Sequence, residues 1–298
     1  MKKIICIAGI AAFAGVSAVR ADILTSGSAT INFSQSAWES LASGYGPGPV
    51  LTLTAFFNQA QANALNYDQV FTTTQASPSY TNQVYAMNGQ AVTNLTGRTT
   101  QPTTFTFAPG QLTSHTGSIG LGGITRFDVY GGLGGVLLYG DYTLQYDSTR
   151  IALGGSGWYL KGNISPAAAA FDLLNVTVLE TNNTLTISGD LGVSFEVAYF
   201  LYSTPGDTLA NVGTFTFTGT TAPLRISSVA SVGGNIIVLG TNAIAGSSYS
   251  VLSSTNAALP LSAWTTNATG AFDSTGACSN SIAITPGETA RFFRLQQP

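Results

Sequence analysis

The sequence predicts a mainly β protein: a larger antiparallel β-sandwich or flattened barrel with one or two short helices, then a small C-terminal β-sandwich. Three observations predict it. Apolar and polar residues alternate in "LTLTAF", "TTFTFAPG", "YTLQYDS" and "GTFTFTGT", the period of a half-buried strand. The runs "LTISGDLGVSFEVAYFL" and "NIIVLG" are more continuously apolar, and Gly, Asn or Pro bounds most of these segments. Beyond residue 220, short runs at 224–230, 235–240, 248–253, 263–267, 270–273, 281–285 and 291–296 are separated by turn residues, at the spacing of a small antiparallel sandwich.

Taken in order, the first 21 residues read as a signal peptide. Lys2 and Lys3 form a basic start, and Ile4 to Val16 is an apolar stretch too short to span a bilayer. Val19-Arg20-Ala21 offers small residues at the cleavage positions, which places the mature start at Asp22. Ser36-Ala37-Trp38-Glu39 fits a capping box, with Trp38, Leu41 and Ala42 on one helical face before Gly44. A second helix is expected over Ala55 to Tyr67, with Phe56, Ala60 and Ala64 at helical spacing. Thr-Phe-Thr-Phe occurs at 104–107 and at 214–217, and each copy is expected to bury two phenylalanines and expose two threonines. The stretch "GTTAPLRISSVA" marks a seam between a larger domain, 22–220, and a tail, 221–298.

Charge narrows the partners. Removing Lys2, Lys3 and Arg20 lowers the basic count from 10 to 7 against 13 acids, a net charge near −6. Only 8% of residues are charged, against about 25% in an ordinary chain. No basic patch exists to neutralise phosphates, so nucleic acid and anionic membrane surfaces are not expected partners. No later stretch is apolar for the roughly 18 residues of a membrane-spanning helix, so no membrane anchor is expected after signal cleavage. Cys6 leaves with the signal peptide, and Cys278, alone, is expected to be a small buried apolar residue.

Little catalytic chemistry is legible. The single histidine, His115, sits in "LTSHTGS" and reads as a solvated loop or strand-end residue; no G-x-S-x-G elbow accompanies it. One His and one mature Cys do not make a zinc or copper site, and no metal or other cofactor is expected, although scattered carboxylates leave calcium open. Asp141 with Asp147, and Asp190 with Glu196, share strand faces six residues apart. At about 3.3 Å per residue each pair is roughly 20 Å apart, too far for a glycosidase dyad; a cross-strand pair such as Asp141 with Glu196 stays open. The glycine runs "GLGGITRF" and "GGLGGVLLYG" lack phosphate-binding spacing and read as turns, bulges or close sheet packing.

The richest cluster is aromatic. Tyr139, Tyr142, Tyr146, Trp158 and Tyr159 lie near Asp141, Gln145, Asp147, Lys161 and Asn163. Trp158 and Tyr159 with Asp141 and Asn163 would suit a sugar ring. The competing reading is core packing, because Tyr142, Leu144 and Tyr146 share one strand face.

The tail carries a resemblance. Gly246-x-x-Tyr249-x-Val251, Ser253-Ser254-Thr255-Asn256, Trp264, Gly270-x-Phe272 and Arg291-Phe292-Phe293-Arg294-Leu295 resemble the short immunoglobulin or fibronectin-like module that ends many secreted proteins of environmental bacteria. The stretch "NAALPL" before Trp264 is longer than that pattern. The resemblance implies a structural or surface-associated accessory domain with Tyr249, Val251 and Trp264 in its core, and brings no catalytic residue. In the larger part, "GSIGLGGITRFDVYGG", "YGDYTLQYD", "GWYLKGN" and "AFDLLNVTV" resemble only uncharacterised exported β proteins.

The expectation from sequence is a secreted, periplasmic or extracellular, non-catalytic protein with a structural or adhesive role, meeting other envelope or extracellular proteins or polysaccharide. Carbohydrate binding near Trp158 is the alternative, and a carboxylate-based glycoside-active enzyme comes third.

Overall fold

Alternating strands close on themselves here. The computed structural model describes residues 22–296 apart from 47, 109–110, 131–133, 165–166 and 289, with the backbone alone at 111–114; the expected signal peptide, 1–21, lies outside the described residues. β1 (Asp22–Phe33) leads to α1 (Gln35–Glu39), β2 (Leu51–Asn58), α2 (Gln59–Asn63) and α3 (Tyr67–Thr72). Then come β3 (Gln83–Met87), β4 (Thr106–Ala108), β5 (Gln111–Thr116), β6 (Ile119–Val129), β7 (Gly135–Gly140), β8 (Thr143–Tyr146) and β9 (Trp158–Gly162). β10 (Ala168–Thr181), β11 (Thr184–Val193), α4 (Phe195–Phe200) and β12 (Asn211–Pro223) follow.

Eight of these strands pair antiparallel in the order β12-β11-β10-β9-β8-β6-β3-β1, and β1 pairs with β12 to close the ring. Of the two architectures expected for the larger part, the chain forms the barrel. Closure removes the free edges of the wall, and eight strands leave an interior that side chains fill. Ile31, Phe171, Leu185, Ile187, Phe215 and Phe217 fill it, each at most 1% exposed. In both Thr-Phe-Thr-Phe copies the two phenylalanines are buried as the alternation predicts; Thr214 and Thr216 are exposed, whereas Thr104 and Thr106 are half-buried.

Outside the wall, the β4–β5 hairpin extends β1, and β2 and β7 flank the far half of β6. β6 therefore serves two sheets. Gly120 and Gly122 face β8 and β3 in the barrel, whereas Gly123 to Val129 pair with β2, and Ile124 to Val129 also pair with β7. The change happens at Gly123 (φ 141°), one residue before Ile124, whose partner on β7 is Gly140 (φ 156°). A Cβ on Gly140 would meet the Gly123 carbonyl oxygen at 2.2 Å, so the corner requires glycine.

Two helical expectations are corrected. α1 is capped by Ser34, which accepts from Ala37 N, not by Ser36. Glu39 does not reach back to the cap; it accepts from Gln35 and from the Tyr80 hydroxyl at 3.1 Å. Trp38, Leu41 and Ala42, expected to share one face, are all buried. The helix expected over Ala55 to Tyr67 is instead the end of β2, then α2, a turn and the start of α3. Asn58 and Asn66 each form a capping box with the glutamine three residues on, so two local signals override the helical spacing of Phe56, Ala60 and Ala64.

The expected seam at 220/221 falls inside β12, which continues to Pro223 opposite Asp22. Beyond it, β13 (Arg225–Val232), β14 (Asn235–Thr241), β15 (Ser248–Ser254), β16 (Thr265–Ala271), β17 (Cys278–Ala283) and β18 (Phe292–Gln296) form two three-stranded sheets, β13-β14-β17 and β16-β15-β18. Val238, Tyr249, Val251, Phe272, Cys278 and Ile282 from both sheets make one buried cluster. Cys278 is buried as expected, and desolvation pushes its thiol pKa up. Trp264 is not in this cluster. It stands half-buried at the entry to β16, where its indole N–H donates to Leu259 O at 3.0 Å. The Tyr249 and Phe272 rings, 4.8 Å apart, occupy the centre instead. The tail meets the barrel through Gln90, whose amide donates to Ala243 O at 3.0 Å and accepts from Ala245 N at 2.5 Å. No helix among the described residues is long and apolar enough to cross a membrane.

Candidate functional site

The aromatic and polar residues grouped by the sequence do not converge. β8 and β9 pair with Tyr146 opposite Trp158 and Thr143 opposite Lys161. Trp158 and Tyr159 thus stand at one end of this hairpin, and Asp141 and Asn163 flank the other. Trp158 faces inward, 6% exposed. His115, expected to be solvated, is half-buried against it, with rings 4.7 Å apart and nearly parallel, and with the Tyr146 ring edge-on at 5.1 Å. Tyr159 points outward under the Arg150 guanidinium, 4.7 Å from its ring centre, and its hydroxyl accepts from the Gln145 amide.

Asp141 is fully buried. Its carboxylate accepts from Arg98 Nε at 3.0 Å and Arg98 Nη2 at 2.9 Å. Desolvation raises its pKa against the opposing charge and hydrogen bonds of Arg98. Asn163 donates to Asp141 O at 2.6 Å and Thr143 Oγ1 at 2.7 Å. Both polar groups are occupied inside the protein, so the four residues present no joint surface to a sugar. Of the shared face expected for Tyr142, Leu144 and Tyr146, the first two are buried and Tyr146 is exposed.

A different site lies beside α4, a helix that sequence reading absorbed into a strand. The local signal for it is present: Ser194 precedes Phe195-Glu196, and Val197, Ala198 and Leu201 follow at helical spacing. Ser194 Oγ accepts from Val197 N at 3.1 Å and donates to Ala169 O at 2.7 Å, capping the helix and tying it to β10. Val197, Ala198 and Leu201 pack inward. Phe195, Tyr199 and Phe200 point out at 47, 67 and 50% exposure, and Tyr202 follows at 73%. The Phe195 and Tyr199 rings stack at 6.0 Å, and Tyr45 adds its ring 6.3 Å from that of Tyr202.

Between α4, β7 and the residues Ile164 and Ala168 runs a cavity of about 520 Å³. Val136, Leu137, Leu138, Ile164, Val197 and Phe200 form its apolar walls, and Tyr199 and Tyr202 stand at its lining. Large exposed apolar clusters on a protein surface mark contact sites.

Arg150 fixes the near end of α4. Its buried guanidinium pairs with Asp172 on β10, with Nε–Oδ1 at 2.5 Å and Nη2–Oδ2 at 2.8 Å. It also holds both Glu196 oxygens at 3.0 Å. Desolvation pushes the Glu196 pKa up, but the Arg150 hydrogen bonds and charge outweigh it, and the carboxyl lies below its usual value of 4.5. A lowered folded pKa contributes stability above the unfolded value that is lost as pH falls through the folded one. Glu196→Gln is therefore expected to cost up to about 1 kcal/mol at pH 7, since the carboxylate is partly solvated. In urea unfolding, the gap from the parent should close as the pH is taken from about 5 down to about 3. A gap that stays constant over that range would remove the ion pair from the account.

The three remaining carboxylates considered for catalysis are dispersed. Asp147 caps the 3-10 turn Ser148–Leu153, Asp190 accepts from Asn175 at 2.7 Å, and Glu196 is held by Arg150. No cluster of three or more His, Cys, Asp or Glu that would hold a metal ion occurs among the described residues. No family model, curated protein or solved structure matches this chain.

Proposed function

We propose that this chain is a non-catalytic envelope or extracellular adhesion protein that meets its partner through the aromatic groove beside α4. One observation carries the reading: Tyr199, Phe200 and Tyr202 crowd their exposed rings around an apolar cavity, with Phe195 stacked on Tyr199, while the buried carboxylates Asp141 and Asp172 are neutralised by Arg98 and Arg150. The surface favours contact, and the internal charges serve the fold. The signal-like first 21 residues support export to the periplasm or beyond. The two small sheets with one shared cluster support reading 221–298 as the accessory immunoglobulin-like sandwich, and the larger part, 22–220, as the binding domain.

Carbohydrate binding remains the second reading, now moved from Trp158 to Tyr199 and Tyr202, whose exposed rings suit stacking. The test is binding of residues 22–298 to a glycan array, insoluble polysaccharides and isolated envelope material. Tyr199→Ala with Tyr202→Ala is expected to weaken binding at least ten-fold while circular dichroism stays unchanged. Binding that survives the double change would sink the groove as the contact, and release of soluble sugar from any polysaccharide would sink the non-catalytic role.

A further inference from the structure

The cavity beside α4 is built for one chemical class of ligand, an inference that rests on reading the groove as the site. We propose that it takes the alkyl chain of a neutral single-chain lipid, with the polar head left at the mouth beside Tyr199 and Tyr202.

The walls argue for hydrocarbon. Val136 and the Leu137–Leu138 pair come from β7, Ile164 lies just beyond β9, and Val197 and Phe200 come from α4. At about 520 Å³ the cavity falls within the roughly 300–1,000 Å³ of sites that take small organic ligands. A sugar buried there would carry several hydroxyls past aliphatic side chains, and each hydroxyl left without a partner weakens binding.

Charge argues for a neutral head. Glu196 is the one charged side chain among the described residues lining the cavity. The cation nearest to it, Arg150, is already shared between Asp172 and Glu196, so the cluster as a whole is negative. Among the described residues lining the cavity an anionic head finds no positive partner, and it meets repulsion from Glu196. Tyrosine suits the mouth because its ring packs on hydrocarbon while its hydroxyl stays in water.

The test is titration of the full chain with monomeric monolauroyl-, monomyristoyl- and monopalmitoylglycerol, read by displacement of a fluorescent fatty-chain probe. Saturable one-to-one binding is expected, and each two-carbon step should tighten it about fifteen-fold until the cavity is full. Val136→Glu, a half-buried wall position, should weaken binding at least ten-fold, as should the cavity-filling Ala168→Trp; either variant counts once its urea midpoint matches the parent. Laurate at pH 8 should bind more weakly than monolauroylglycerol, and equal or tighter binding of the anion would overturn the neutral head. Affinity independent of chain length, or no binding of any chain, would overturn the proposal. If no chain binds while the Tyr199 and Tyr202 changes still abolish envelope or glycan binding, the alkyl inference falls and the adhesive groove stands. If both are lost, the groove itself is refuted.

Discussion

Replacing Arg98 with methionine is expected to cost about 3–5 kcal/mol of unfolding free energy, because it strands a buried charge. The Asp141 and Arg98 side chains are both 0% exposed. The same guanidinium donates to Ala62 O and, at 2.9 Å, to Leu65 O, so it also satisfies carbonyls at the end of α2. The Arg98 backbone bridges Ile164 on the cavity wall, which makes this pair the support beneath the groove. Burial already raises the Asp141 pKa despite Arg98, and without the arginine it must rise further. A folded pKa above the unfolded one lowers stability as pH rises between the two values. The penalty of Arg98→Met should therefore be largest at neutral pH and shrink towards pH 4. Adding Asp141→Leu should recover most of the loss at pH 7. Urea unfolding of the two single variants and the double variant at both pH values checks this. A single-variant loss below about 1 kcal/mol would contradict the burial of the pair.

Trp38→Ala is expected to cost a similar amount, about 3–5 kcal/mol, by opening a cavity in the aromatic core. Trp38 is fully buried and stacks on Phe127 with centroids 4.4 Å apart. Phe33 and Phe171 pack around it at 5.2 and 5.8 Å, and Tyr139 meets it edge-on at 6.4 Å. These rings come from β1, β10, β6 and β7, so one side chain on a five-residue helix joins the barrel to its outer strands. The indole nitrogen is buried without a hydrogen-bond partner among the described residues. Trp38→Phe, which removes that nitrogen and some volume together, should consequently cost much less than Trp38→Ala. Thermal and urea unfolding of the two variants separate packing from polarity: equal losses would show that ring volume is not what Trp38 supplies.

The strands were legible where each residue's fate depends on its immediate neighbours. In β12 the Thr-Phe alternation alone assigns Phe215 and Phe217 to the interior and the threonines to the other face. Caps are similarly local, yet the sequence reading placed the cap of α1 at Ser36, two residues beyond Ser34, which accepts from Ala37 N. The α4 signal at Ser194 was present but lay at the end of a continuous apolar run, where strand and helix periodicities overlap. Trp264 was misplaced for a related reason. A large aromatic is usually core, but this one sits at a strand entry whose own residues are mostly exposed.

The site was less legible than the fold because its residues meet across long sequence separations. Asp141 and Arg98 are 43 residues apart, and Arg150 meets Glu196 across 46. Proximity in sequence grouped Trp158, Tyr159, Asp141 and Asn163, but strand pairing carried them to opposite ends of one hairpin.

Composition, alternation and turn residues by themselves determined a β-rich chain with little charge, buried phenylalanines and a buried thiol, because these depend on how each residue partitions between water and the interior. Only the tertiary structure decided that the larger sheet closes, that α4 leaves its aromatic face exposed, and that the buried carboxylates Asp141 and Asp172 are held by arginines. Those outcomes depend on register and on which distant segments pair, and a two-residue periodicity contains neither.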